Sequence, residues 1–318
     1  MTLTWVIGGG GLIGSAVRRA LLARGAEMFA PLAPLRWLEP SVVARQLADE
    51  CARFQGLARL ASAWEIYWCA GNGTFRSPAH ELTGEAQALQ ALVDALAAPG
   101  RSPLSSGGLA FISSAGAVYA GSNDEVITES SADVPTTPYG VAKLAQEQAL
   151  LDGLQNLPQL AVLLARVSTV YGPGQKANKP QGLISHIARS IVRNQPVHLF
   201  VPLDTIRDYI AVDDAADEVI RRLQAVVPLG ARSLQIVASE RATTISEIIA
   251  TFRRMARKPP RIVITTDPIR NVYARRTQYR SQVSTGPGVK ARTSLLLGIS
   301  SLLADERLRH ARADDVAR

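Results

Sequence analysis

The sequence predicts an α/β fold: a parallel sheet covered by helices on both faces. Three observations carry this. Short apolar runs alternate with longer helical patterns over the first 170 residues, those runs are apolar on consecutive rather than alternate residues, and the first leads into a helix through a row of glycines. Strands that alternate with helices build parallel sheets, and a strand buried on both faces loses the polar half of its alternation.

In chain order, strands are expected at residues 3–8, 27–30, 65–70, 109–113 and 160–167, with helices at 12–24, 41–60, 80–97 and 138–151. The stretch 99–108, rich in Pro, Gly and Ser, reads as a loop or a hairpin-like excursion. One long helical pattern separates the second strand from residues 65–70, where a usual dinucleotide-binding half carries another strand. That strand is either lost or survives in degenerate form near residues 54–60. Beyond residue 170, helices are expected at 183–194, 213–225, 245–256 and 300–309, and strands at 197–200, 209–212, 234–238 and 261–265.

Composition narrows the class. Hydrophobic residues make up 47% of 318 and charged residues 19%, with a mean hydropathy of +0.07, so a full core is available and disorder is excluded as the dominant state. The apolar stretches 160–165 and 295–304 fall short of the roughly 18 residues of a membrane span. No signal peptide is expected, because residues 3–7 run straight into glycines with no basic region before them. Two cysteines, Cys51 and Cys69, are too few for a disulfide scaffold and fit a reducing cytoplasm.

The net charge of +8 is concentrated: residues 253–318 hold 15 Lys/Arg and 5 Asp/Glu, against 20 and 22 in the rest. A basic segment suits nucleic acid, an anionic membrane or a phosphorylated small molecule. Aromatics at 5% leave few surfaces for bases to stack on. That weakens single-stranded nucleic acid, and a merely solvated basic face fits the charge equally well; no nucleic-acid and no membrane partner is expected.

The glycine row contains Gly8-x-x-Gly11-x-x-Gly14 between a strand and an amphipathic helix, the context in which such a pattern binds dinucleotides. Glycine allows the tight turn and the close approach of backbone to pyrophosphate, and the helix N-terminus offers its free N–H groups. An acidic residue ending the second strand favours NAD, and residues 28–36 have none. Arg36, and nearer the loop Arg18 and Arg19, are candidates for a 2′-phosphate. NAD and NADP both stay open.

Thr137-Pro138-Tyr139-x-x-x-Lys143 gives an N-cap, a first-turn proline and a Tyr/Lys pair on one helix face. A phenol with a pKa near 10 is a poor base at neutral pH, but a neighbouring ammonium and an oxidised nicotinamide favour the phenolate. Tyr139 is then the acid/base and Lys143 the group that depresses its pKa. Ser113 and Ser114 end the preceding strand, where ligands of open parallel sheets sit, and either hydroxyl can bond a reacting oxygen.

These motifs, with Arg166, Val170-Tyr171-Gly172-Pro173-Gly174 and Arg207-Asp208-Tyr209, resemble in matching order the extended short-chain dehydrogenase/reductases, the NAD-dependent epimerase/dehydratase family. The resemblance spans roughly residues 3–225. It implies a Rossmann-type doubly wound parallel sheet with a smaller C-terminal substrate domain. Residues 1–175 are the expected cofactor domain, with 205–240 returning to it, and 176–204 and 241–318 the substrate region. It implies NAD or NADP on Gly8, Gly11, Leu12, Ile13, Gly14, Ala70, Ser113, Tyr139 and Lys143. Its catalytic set carries over to Ser114, Tyr139 and Lys143, and its substrate contacts to Ser114, Thr169 and Arg207, the arginine meeting a nucleotide-sugar diphosphate. A homodimer is left open.

Three departures accompany the resemblance. Aligned on Val118-Tyr119, the family's catalytic hydroxyl falls on Ala115, one residue from Ser114. Thr169 stands where the family often has Asn. Residues 201–206 lack the usual glycines. The implied function is a nucleotide-sugar epimerase or net reductase in sugar or surface-polysaccharide metabolism; Ala115-Gly116, with no acid, argues against a dehydratase. The alternative is a non-catalytic NAD(P)-binding regulatory or structural relative, favoured by the shifted serine and opposed by the Tyr139/Lys143 pair. Four scattered histidines match no metal spacing.

Overall fold

The computed structural model describes residues 1–98, 106–175, 182–256, 260–264, 276–283 and 293–316. In chain order, β1 (Thr2–Ile7), α1 (Leu12–Ala23), β2 (Glu27–Met28), α2 (Pro40–Ala58), β3 (Ala63–Trp68) and α3 (Ala79–Ala97) come first. β4 (Gly107–Ser114), the single turn α4 (Ala115–Val118), α5 (Pro138–Gly153) and β5 (Leu160–Val167) follow. Then come β6 (Thr169–Tyr171), α6 (Leu183–Val192), β7 (Val197–Leu199), β8 (Ile206–Ala211) and α7 (Val212–Val226). The chain continues through β9 (Arg232–Val237), β10 (Ala242–Thr244), α8 (Ile245–Met255), β11 (Ile262–Ile264) and α9 (Leu295–Val316).

The main sheet has six parallel strands in the order β2-β1-β3-β4-β5-β9. Its central strands are buried on both faces, as their unbroken apolar runs predict. Along β4, Leu109 and Phe111 pack with α2, α3 and α5 on one side, and Ala110 and Ile112 with α1 and α7 on the other. A third apolar cluster, with Ile187, Leu199, Ile248, Phe252 and Leu302, forms the core of the smaller region. Among the described residues no helix is long and apolar enough to cross a membrane.

The extra strand is lost: α2 runs unbroken from Pro40 to Ala58, and Val43, Leu47, Cys51 and Phe54 recur on its buried face. The loop expected at 99–108 ends early, because Gly107 and Gly108 open β4; residues 99–105 lie outside the described set. These glycines belong in the strand because neighbours crowd it. A Cβ on Gly107 would lie 1.8 Å from the Trp64 ring, and one on Gly108 2.5 Å from Val227. The last helix begins at Leu295 rather than 300, and Gly298 inside it lets it press on Tyr171, whose Oη would be 2.3 Å from an added Cβ.

The Arg-Asp-Tyr motif contributes a structural acid. Asp208 is fully buried on β8 and accepts from Ser168 Oγ at 2.6 Å, Ser239 N at 2.9 Å, Ser239 Oγ at 3.1 Å and Arg241 N at 3.1 Å. It ties the end of β5 to the turn after β9. Asp214 at the start of α7 holds Thr293 through its N–H at 2.9 Å and hydroxyl at 3.0 Å, anchoring the segment before α9. Because donors to a charged acceptor are each worth roughly 1.5–3 kcal/mol, Asp208→Ala is expected to lower stability by more than about 3 kcal/mol. Denaturant unfolding of the variant checks this, and a loss within about 0.5 kcal/mol of zero would contradict it.

Candidate active site

The turn after β1 is shaped by two close approaches. Gly8 has φ +83°, and a Cβ there would lie 2.5 Å from Ala70 N, just past β3. A Cβ on Gly14 would lie 2.3 Å from Gly8 O. The helix therefore starts against the sheet's carboxyl edge, with Gly11 N donating to Gly8 O at 2.9 Å. Gly10 and Gly11 are exposed, and a Cβ on Gly10 would meet open space. The first bond of the helix runs from Ser15 N to Gly11 O, and Gly11 as N-cap offers no side chain. The N–H groups of Leu12, Ile13 and Gly14 thus precede the ladder at the positive end of α1, a fit for a pyrophosphate.

Two of the three basic candidates sit in ion pairs, while Arg18 lies beside the loop, its Cδ 3.8 Å from where a Cβ on Gly9 would stand. Arg36 pairs with Glu39 at 2.5 Å and Arg19 with Asp213 at 2.7 Å. Arg53 of α2, which the sequence reading missed, closes the end of β2. It donates to Ala30 O, pairs with Glu50 at 2.7 Å and lies 4.2 Å above the Phe29 ring.

Thr137 caps α5 by accepting from Gly140 N at 3.2 Å, and Pro138 fills the first turn. Tyr139 and Lys143 then project from one face. Ser114, the last residue of β4, stands close enough to the Tyr139 hydroxyl to favour its ionisation. Lys143 is buried, with Nζ 5.0 Å from the Phe111 ring centre, 5.9 Å from that of Tyr139, and donating to Gln146 Oε1 at 3.1 Å.

The two serines separate. Ser113, on the face of β4 that carries Leu109 and Phe111 towards α5, donates to Glu147, whereas Ser114, where the strand passes into α4, stands near Tyr139. Glu147 lies one helical turn beyond Lys143 and pairs with Arg166 of β5 at 2.6 Å. Arg166 also holds Asp133, and its guanidinium lies 4.8 Å from the Tyr119 ring centre. Ala115, where the family register places the hydroxyl, is fully buried at the start of α4.

In the chain alone the Tyr139 phenol is raised: burial does most, the Glu85 carboxylate adds to it, and Ser114 opposes both; the expected depression invokes an oxidised nicotinamide as well as Lys143. Burial also lowers the Lys143 ammonium, against Glu85 and Glu147. Glu85, on α3, is the site residue that sequence reasoning missed. It accepts from the N–H groups of Asn72 and, at 2.6 Å, Gly73. The only trace in the sequence is Gly71-Asn72-Gly73, a turn signal after a strand, which does not say what would satisfy its N–H groups.

The substrate candidates follow the neighbouring strand, Thr169 standing two residues past Val167, the register partner of Ser114. Thr169 is exposed on β6, in register with Tyr209. Arg207 is half-buried on β8 and donates to Ile206 O at 2.7 Å. Its charge lowers the phenol of Tyr279 against the larger effect of burial. The Tyr279 hydroxyl would be 3.8 Å from a Cβ on Gly116, two residues past Ser114. Tyr279 packs with Ala115 and Tyr119, just past the Ser114 end of β4.

A family model described as NAD dependent epimerase/dehydratase family matches residues 4–232. The chain is 33% identical over 116 residues to a dTDP-L-rhamnose 4-epimerase of Burkholderia thailandensis, covering 36% of this chain and 31% of that protein. It is 28% identical over 159 residues to a dTDP-4-dehydro-6-deoxyglucose reductase of Escherichia coli, covering 50% and 48%. The chain thus spans half or less of the length of these curated relatives. Among solved structures, MoeE5 in complex with UDP-glucose and NAD superposes with a TM-score of 0.75 at 23% identity, over 98% of this chain and 99% of that one. At that identity the likeness is one of fold.

A raised Tyr139 phenol carries its proton throughout the neutral range. Subtracting the tyrosinate absorbance of Tyr139→Phe from that of the cofactor-free protein is expected to give a flat line up to about pH 10. A step near neutral pH would contradict the geometry.

Proposed function

The chain belongs to the NAD dependent epimerase/dehydratase family, and on that premise we propose that it is an NAD(P)-dependent enzyme that epimerises, or reduces in net, a sugar carbon of a nucleotide sugar. The observation that carries the reading is the meeting of Ser114, Tyr139 and Lys143 despite the displaced serine. The names of the two curated relatives, an epimerase and a reductase, support the same pair of reactions. The setting proposed is sugar or surface-polysaccharide metabolism in the cytoplasm.

In this reading residues 1–175, with 205–240 returning, form the cofactor domain. The backbone at Gly8, Gly11, Leu12, Ile13, Gly14 and Ala70 holds the pyrophosphate of NAD or NADP. Bound, that cofactor supplies or accepts the hydride. Tyr139 moves the proton of the reacting hydroxyl, and Ser114 bonds the same oxygen as its charge changes. Lys143 keeps a positive charge beside the phenol. Ser113 acts indirectly, steadying α5 through Glu147. Arg207 and Thr169 face the substrate, the guanidinium fork pairing with diphosphate oxygens. No carboxyl follows Ser114, so a hydroxyl lacks the acid that its elimination needs.

Two variants test this on a panel of nucleotide sugars. Tyr139→Phe keeps the ring and is expected to cost about 10²–10⁴ in turnover while cofactor binding persists. Arg207→Ala is expected to raise KM with a smaller effect on kcat. Wild-type turnover in Tyr139→Phe would refute the catalytic assignment and leave a cofactor-binding relative. An unaltered KM in Arg207→Ala would refute the diphosphate contact.

A further inference from the structure

Glu85 lies 54 positions before Tyr139 in the chain, yet its carboxylate sits beside both members of the acid/base pair. Its position is built. Oε1 accepts from two successive backbone N–H groups, those of Asn72 and Gly73, in the loop that leaves β3. Oε2 and Lys143 Nζ flank Gly71: a Cβ on that residue would lie 3.2 Å from the first and 3.6 Å from the second. Gly71 has φ +147°, so both space and backbone favour glycine. The same loop touches Tyr139, because a Cβ on Gly73 would lie 2.9 Å from its ring. Phe75 completes the contact at 5.8 Å between ring centres.

We propose that Glu85 is a positioning residue that locks the 71–73 loop against Tyr139, holds a counter-charge to Lys143, and thereby sets the site for proton donation to a keto sugar. This rests on the reading of Tyr139 as the acid/base. In the step favoured, a hydride from NAD(P)H adds to the carbonyl carbon and the C=O π pair moves onto oxygen. That oxygen takes the proton of the Tyr139 hydroxyl. An alcohol results, and the phenolate left behind is reprotonated from solvent.

The charges around the phenol support this direction. Glu85 from α3 disfavours its ionisation, Lys143 from its own helix lies 5.9 Å from the ring centre, and Ser114 from β4 donates or accepts at the oxygen. Around Lys143, Glu85 and Glu147 both favour the ammonium, and Gln146 accepts from it. Glu85 is thus the carboxylate that acts on tyrosine and lysine together.

Glu85→Gln keeps a carbonyl oxygen for the two N–H groups and removes only the charge. A fluorotyrosine at position 139, more acidic than tyrosine, brings the ionisation into a pH range that the fold tolerates, and its ¹⁹F shift reports it without cofactor or substrate. Glu85→Gln is expected to lower that midpoint by about one unit, and Glu85→Asp, which retains the charge, to stay near the parent. A midpoint unmoved in Glu85→Gln, or moved equally in Glu85→Asp, would overturn the proposal. In the loaded enzyme, Glu85→Gln is expected to move the pH profile of keto-sugar reduction to lower pH and Glu85→Asp to leave it near the parent; a profile unmoved in Glu85→Gln would also overturn it. The fluorine readout stands apart from the functional reading, which fails instead if Tyr139→Phe retains full turnover.

Discussion

A buried guanidinium holds this site together. Arg166 on β5 pairs with Glu147 on α5 and with Asp133 in the segment before that helix, while Ser113 on β4 donates to the same glutamate. Arginine and glutamate are both nearly inaccessible to water. Buried charge is expensive unless paired and hydrogen-bonded, and removing one member leaves the other stranded. The network therefore fixes the roll and height of α5 relative to β4 and β5. Glu147 is four residues from Lys143 and eight from Tyr139, all on one helical face. What Arg166 fixes is where the phenol stands against Ser114.

The other half of the site depends on steric contact rather than charge. Gly8 touches the backbone at Ala70, and Gly14 touches Gly8 O. These contacts draw the start of α1 down to the sheet edge between β1 and β3, where Gly11 supplies no side-chain cap. The Tyr139 side of the site sits past the end of β4, one strand further on. A nicotinamide dinucleotide is an elongated ligand suited to reaching from one to the other. The sheet is one strand shorter than a usual dinucleotide-binding fold on the β2 side, where α2 and the Arg53–Glu50 pair close the edge instead.

Much of this was legible in the sequence because it follows from burial and local chemistry. The central strands show as unbroken apolar runs, the glycines as a strand–turn–helix, and Tyr139 with Lys143 as a capped helical pair. Less was legible where the determinant is a distant neighbour. β6 and β10, three residues each, pair with β8 from distant parts of the chain and lack the apolar run that marks the equally short β11. Gly107 and Gly108 read as loop because nothing local reveals the Trp64 ring that excludes a side chain. Ser113 and Ser114 are chemically identical, and only the folded chain shows that one donates to Glu147 while the other stands near Tyr139. The influences on the Tyr139 phenol are likewise only half legible. Lys143 is visible four residues away, whereas burial and the Glu85 carboxylate belong to the folded chain.

The central claim is that these two halves form one catalytic site. Nucleotide sugars deuterated at the ring carbons test it most directly, incubated with the protein and its oxidised cofactor, with the label followed by mass spectrometry. The account predicts that deuterium from one specific carbon appears on the nicotinamide, or on the same carbon with inverted configuration, and that neither occurs with Tyr139→Phe. Tight cofactor binding with no transfer of label from any nucleotide sugar would contradict it.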